Sequence, residues 1–191
     1  MLLCMKTEIF NFPLPGLLKE KVDGLLNESF GVGSGESLRR IKESKNTHYS
    51  NPVKYILTFE EEDIIGIQMI FLRKIIFENK DVLVGGLGGL CVDKRYRGQG
   101  IATELLREAI EVFKVLNCDV GMLFTNIKNP RYIKLYGKFG FVIFEREYTF
   151  LDKAGKIQTD HSAMITPVRS KEKFNLILNS EEILHLGKGE W

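Results

Sequence analysis

Cysteine is scarce in this chain, which carries only Cys4, Cys91 and Cys118. Three cysteines at wide spacing exclude a disulfide scaffold and leave no Cys-based metal motif; a reducing compartment fits them best. Net charge is nearly absent as well. Lys and Arg total 27 against 25 Asp and Glu, or +2 at pH 7, too little for a general nucleic-acid binder. Long apolar runs are also missing. The longest, Val82–Val92, is glycine-rich and far too short to cross a bilayer. The apolar start Met1–Met5 ends at Lys6 and Glu8, so no signal peptide is read. His48, His161 and His185 lie far apart and lack ligand spacing, so no metal is expected. A soluble, cytoplasmic protein without membrane or nucleic-acid partners is the expectation.

What is present reads as globular, with 44% hydrophobic and 27% charged residues. No repeat, low-complexity tract or linker divides the 191 residues, so one mixed α/β domain over 1–191 is expected. Strands are predicted at Thr7–Phe12, Tyr55–Glu60 and Ile64–Phe71, with Arg73–Phe77 extending the last or forming another. Further strands are predicted at Val82–Val92, Val120–Thr125, Phe141–Phe150 and His161–Val168. The spacing of Leu18, Val22, Leu25, Leu26 and Phe30 predicts a helix over Leu17–Phe30. Ile101–Leu116 has a full apolar face, Pro130–Lys138 reads as a short helix behind Asn129, and Ser37–Lys45 as a weaker one. Lys153–Asp160 reads as a polar turn, Lys173–Leu178 as strand or helix, and Glu181–Leu186 as a short helical turn. Gly85, Gly86, Gly88 and Gly89 interrupt an otherwise apolar strand. They imply either bulges or room for something to lie against the backbone.

The central signal is the run from Val92 to Ala102, placed between a buried strand and the strongest helix. Gly98 and Gly100 remove Cβ atoms where N–H groups must converge. The helix that follows adds unpaired amides and a positive dipole end. Arg95 and Arg97 could add charge-assisted bonds to a pyrophosphate. The dinucleotide fingerprint lacks its third glycine, because Thr103 stands there, and the nucleotide P-loop lacks its Lys and Ser/Thr, because Ile101 and Ala102 follow Gly100. A plain tight turn is the other reading of the same glycines.

Arg95, Gly98 and Gly100 match the pattern Gln/Arg-x-x-Gly-x-Gly/Ala, and Asn129, Leu135–Tyr136 and Gly140–Phe141 follow at matching offsets. Together these resemble the GNAT superfamily of N-acetyltransferases. The resemblance implies an acyl-CoA N-acyltransferase fold, in which a mixed central sheet with splayed parallel strands is flanked by helices. It implies acetyl-CoA as cofactor, with pantetheine along Leu90, Cys91 and Val92. The pyrophosphate would lie on Arg97, Gly98, Gln99, Gly100, Ile101 and Ala102. Asn129 would contact pantetheine or support its loop, and a homodimer is one assembly that such proteins adopt. Met69–Gly98 and the ending Gly187–Trp191 more loosely resemble aminoglycoside 2′-N-acetyltransferases. Carried over, Glu190 and the Trp191 carboxylate would meet a cationic substrate, with Glu36 near them. Gly88 stands where those enzymes carry a Glu.

For the chemistry, a backbone N–H near Val92 would polarise the thioester carbonyl, and Tyr136 would protonate the leaving sulfur. Tyr136 could otherwise be a packing aromatic beside Phe139 and Phe141. The base is read first as a held water, then as Asp93, Glu36 or the Trp191 carboxylate. Cys91 as a covalent nucleophile has no neighbouring His in sequence to activate it. The expected reaction is direct acetyl transfer to a primary amine of a small cationic acceptor, an aminoglycoside or polyamine. The alternatives are a protein or peptide N-acetyltransferase with Gly31–Lys45 shaping a groove, and a non-catalytic CoA-binding module.

Overall fold

Short alternating segments and tight turns make strands the commonest element of the described residues. The computed structural model describes residues 5–30, 51–152, 154–189 and 191. In order, the elements are β1 (Met5–Asn11), α1 (Gly16–Phe30), β2 (Lys54–Glu60), β3 (Asp63–Phe77) and β4 (Lys80–Val92). A 3₁₀ turn (Lys94–Tyr96) leads to α2 (Ile101–Val115), β5 (Val120–Phe124) and α3 (Pro130–Gly137). Then come β6 (Val142–Phe144), β7 (Tyr148–Leu151), β8 (Ile157–Asp160), β9 (Ala163–Pro167), α4 (Lys171–Asn179) and β10 (Leu184–Lys188). The weak helix expected over Ser37–Lys45 lies outside the described residues.

Seven strands form one sheet in the order β1-β2-β3-β4-β5-β9-β6, and β10-β7-β8 form a second. In the large sheet only β4 and β5 run parallel, the consequence of their joining through helix α2. The long β3–β4 hairpin turns on Glu78 and Asn79, both at left-handed φ, the twist that a two-residue hairpin loop needs. Helix α2 buries Ile101, Leu105, Leu106, Ala109, Val112 and Phe113 on one side of the large sheet. Helix α1 covers the other side at Ile67 and Cys91. No helix among the described residues is long and apolar enough to cross a membrane.

Three expectations are corrected. Phe141–Phe150 is not one strand. β6 pairs with β9 in the large sheet, while β7 pairs with β8 and β10 in the small one. The break falls at Glu145–Glu147, where the polar run leaves nothing to bury in either sheet. Glu181–Leu186 is not helical, because Leu184 and Leu186 bury alternately as β10 beside β7. The polar segment before Asp160 contributes strand β8 as an edge partner of β7. Its turn is organised by Asp152, which accepts from the amides of Ala154 and Lys156 and from Gln158 Nε2.

The glycines of β4 are used for close approach. A Cβ on Gly85 would stand 2.4 Å from Phe113 Cδ1, and one on Gly86 would stand 2.5 Å from Trp191 Cε2. The Trp191 indole lies over β4, stacked on Phe71 (centroids 6.4 Å apart) and tilted against Phe124 (4.7 Å). Arg73 holds the tail there. Its Nη1 donates to Gly189 O, its Nη2 to Lys188 O, and its guanidinium sits 5.0 Å from the indole centroid. Gly86→Ala is therefore expected to destabilise by about 1–3 kcal/mol through overpacking. Trp191→Ala, at a half-buried site, should cost about 2–3 kcal/mol. Because each removes the other's collision or contact, urea denaturation of the double variant should fall short of the sum by about 1 kcal/mol. Strict additivity would show that the indole does not occupy the glycine face.

Candidate active site

The cleft begins where the parallel pairing stops. β4 and β5 are paired from Val84↔Val120 to Leu87↔Leu123, after which β4 continues to Val92 while β5 ends at Phe124. The strands part and leave a cleft of about 810 Å³ between Leu87–Val92 on one wall and Leu123–Asn126 on the other. Asp93 N donates to Ile65 O on β3. Alternation along an extended strand then turns the N–H and C=O of Val92 the other way, toward the cleft. Arg97 Nε donates to that Val92 carbonyl at 3.1 Å, which brings the guanidinium to the cleft wall.

Helix α2 opens onto the same space. Gly98 and Gly100 have φ of 82° and 86°, and a Cβ on either would meet nothing within 4 Å. Their role is conformational, since the left-handed turn lets the chain enter the helix with its amides bare. No side chain caps Gly100, and the first hydrogen bond of the helix is from Thr103 N to Gly100 O. The amides before Thr103 are the ordinary orphans of a helix start, here facing a cleft that Gly98, Gly100, Ile101 and Ala102 line. This is anion-binding geometry. Arg97 and Lys138 are the cations of the described lining, which contains no Asp, Glu or His.

On the opposite side, Asn129 caps α3 by accepting from Arg131 N at 3.0 Å, and Pro130 takes the first helical position, where its missing N–H is harmless. That cap fixes the short helix so that Leu135 and Tyr136 line the cleft. The Tyr136 ring meets Phe141 edge-on with centroids 6.0 Å apart. Burial, with a smaller contribution from Tyr132, pushes the phenol up to about 12, so it is protonated at any physiological pH.

Leu90, Cys91, Val92, Arg97, Gly98, Gly100, Ile101, Ala102, Asn129 and Tyr136 are thus brought to one cleft, and Gln99 is left outside its lining. Arg95 is outside the described lining and is turned to Asp93 instead. Its guanidinium donates to both carboxylate oxygens, at 2.6 Å for the closest pair, and lies over the Tyr96 ring. The same contacts hold the Asp93 carboxyl below its ordinary range and take it out of contention as the base. Cys91 is no nucleophile at neutral pH, because burial pushes its thiol up to about 11 against the opposing pull of Ser29 and Arg97. Trp191 packs over Gly86 and Gly88 and is not part of the described lining. Glu36 and Glu190 lie outside the described residues. Sequence reasoning passed over Gln68 and Phe30, which also line the cleft; they sit in apolar stretches that carry no motif.

Residues 20–141 match the acetyltransferase (GNAT) family. The chain is 34% identical over 89 residues to N-alpha-acetyltransferase 30 of Saccharomyces cerevisiae, covering 47% of this chain and 48% of that protein. It is 38% identical over 99 residues to human N-alpha-acetyltransferase 30, covering 52% of this chain and 26% of that protein. The chain thus spans about half or less of the length of these curated relatives. Two solved structures share the fold. Escherichia coli YhbS, a GNAT family N-acetyltransferase in complex with CoA, superposes with a TM-score of 0.60 at 17% identity over 98% of this chain and 92% of that one. The NatC complex bound to Gag peptide and CoA gives 0.57 at 18% identity over 85% of this chain and 98% of the other.

These findings correct the expected acceptor. The small-molecule partner, an aminoglycoside or polyamine, is overturned by curated relatives at 34–38% identity that are N-alpha-acetyltransferases. The described walls carry Arg97 and Lys138 and no carboxylate, so among the described residues nothing in the cleft is built for a polycation.

Proposed function

Because the chain belongs to the acetyltransferase (GNAT) family, we propose that it moves an acetyl group from acetyl-CoA to the α-amino group of a peptide or protein N-terminus. Supporting the donor half is the uncapped entrance of α2, which opens on a cleft with basic side chains. Supporting the acceptor half are relatives at 34–38% identity that are N-alpha-acetyltransferases. The cytoplasm is the proposed setting, where Cys91 and Cys118, both free and buried, stay reduced.

Acetyl-CoA, when bound, supplies an activated acyl thioester. The amides of Gly98–Ala102 and the Arg97 guanidinium would hold its pyrophosphate, and the backbone of Leu90–Val92 its pantetheine arm. The Val92 N–H, directed into the cleft, is the oriented donor for developing negative charge on the acyl oxygen. Tyr136 holds a proton at its hydroxyl for the departing sulfur. A water held in the cleft is the first candidate to take the proton of the incoming amine, since the described lining offers no carboxylate or imidazole. Holding amine and thioester together supplies much of the remaining acceleration.

The test is a thiol-release assay with acetyl-CoA against peptides with free N-termini, the same peptides N-terminally blocked, a polyamine and an aminoglycoside. Free N-termini should exceed every other acceptor at least tenfold in kcat/KM. A polyamine or aminoglycoside turned over as well as the free peptides would reject this acceptor class.

A further inference from the structure

On β3 and β4 the pairs Ile67↔Cys91 and Met69↔Gly88 leave Gln68 alone opposite two residues, Gly89 and Leu90. This is a bulge, and Gly89 takes the left-handed φ of 62° that such a bulge uses. Its consequence is a change of parity. Before it, Leu87 packs toward α2 while Gly86 and Gly88 face Trp191; after it, Leu90 and Val92 pack toward α2 and Cys91 packs toward α1. Without the extra residue the order beyond Gly88 would be reversed. Cys91, rather than Val92, would then turn its N–H to the cleft. The bulge therefore decides which backbone amide can serve the acyl oxygen.

Gln68 is fully buried, an unfavourable place for an amide. Its Nε2 donates to Met69 O and to Gly88 O, each at 2.9 Å. Both partners are carbonyls, so only the NH₂ group fits there and the amide cannot be turned over. Its Oε1 is sealed from solvent with no partner among the described residues. An amide that leaves one acceptor empty is a poor core residue. Packing alone does not explain it. What the side chain does is tie the Gly88 carbonyl, at the entry to the bulge, to β3.

We propose that Gln68 is a positioning residue, which locks the β4 bulge in the register that points the Val92 amide into the cleft. This rests on the acetyl-transfer reading above. Gln68→Met keeps the volume and removes both donor bonds. Hydrogen exchange of the wild-type and variant proteins, read by mass spectrometry, should show Gly88–Val92 exchanging about tenfold faster in the variant, with Val82–Gly86 unchanged. In the peptide assay kcat should fall at least tenfold while the peptide KM stays within threefold. Gln68→Glu supplies a second arm. Only its protonated carboxyl can donate to Gly88 O, so its activity relative to wild type at each pH should rise as pH falls. Unchanged exchange at Gly88–Val92, or a kcat within twofold of wild type, would overturn the inference, as would a pH-independent activity ratio for Gln68→Glu. If the wild type transfers no acetyl group to any peptide, the functional reading fails, and the exchange data still decide whether Gln68 holds the bulge.

Discussion

Gly100→Asp should abolish acetyl-CoA binding at least a hundredfold while leaving the protein folded. The substitution is chosen because the fold has room for it, since a Cβ at Gly100 meets nothing within 4 Å. The left-handed φ of 86° is a conformation that aspartate tolerates better than most residues, so the loss of stability should be about 1 kcal/mol. Binding is a different matter. The new carboxylate would stand at the entrance whose bare amides and dipole favour an anion. A unit charge about 5 Å from a phosphate charge, at an effective dielectric near 20, repels by about 3 kcal/mol, or roughly a hundredfold in affinity. Calorimetric titration with acetyl-CoA measures this directly, and a melting curve controls for folding. An affinity within threefold of wild type would mean that the pyrophosphate does not use this loop.

Tyr136→Phe should lower kcat about a hundredfold with little change in acetyl-CoA affinity. A positioned general acid contributes about 10²–10⁴ in rate, and phenylalanine keeps the ring and its edge contact with Phe141. The pH profile carries the sharper information. Burial pushes the phenol up to about 12, so the protonated form persists through the assay range and is lost only as pH rises toward that value. The wild-type kcat should therefore show no descending alkaline limb from Tyr136 below pH 10. A limb near pH 8–9 that disappears in Tyr136→Phe would contradict the burial argument, and an unchanged kcat would reduce Tyr136 to a packing aromatic.

Much of the fold could be read from local pattern. The apolar face of Ile101–Val115 left one side to bury, and the β4 glycines announced close approach before the approaching group was known. They could not reveal that group, because Trp191 and Gly86 are far apart in sequence and meet only through the small sheet that carries the tail. For the same reason Phe141–Phe150 read as one strand. Its apolar residues suit extended backbone throughout, and only the division between two sheets separates Phe144 from Tyr148. At the site, the spacing of the loop and of Tyr136 singled out residues that the fold does bring to one cleft, while their roles there stay proposals. Arg95 reads as a second loop cation, and only the structure shows it paired with Asp93, two residues away, and outside the described lining. Gln68 was invisible, since one polar residue inside Ile64–Phe71 carries no signal until its amide is seen on the Gly88 carbonyl. The acceptor could not be read from the loop at all, because the motif describes the half of the site that would hold the cofactor and carries no signal for the amine that meets it.

All of this chemistry depends on bare amides at the start of α2 gripping the pyrophosphate of a cofactor between β4 and β5, which a crystal structure of the protein with acetyl-CoA would reveal. Pyrophosphate oxygens are expected within about 3.2 Å of the Gly98–Ala102 amides, with the thioester between the Val92 N–H and the Tyr136 hydroxyl. A cofactor bound elsewhere, or one whose pyrophosphate leaves those amides to water, would contradict it.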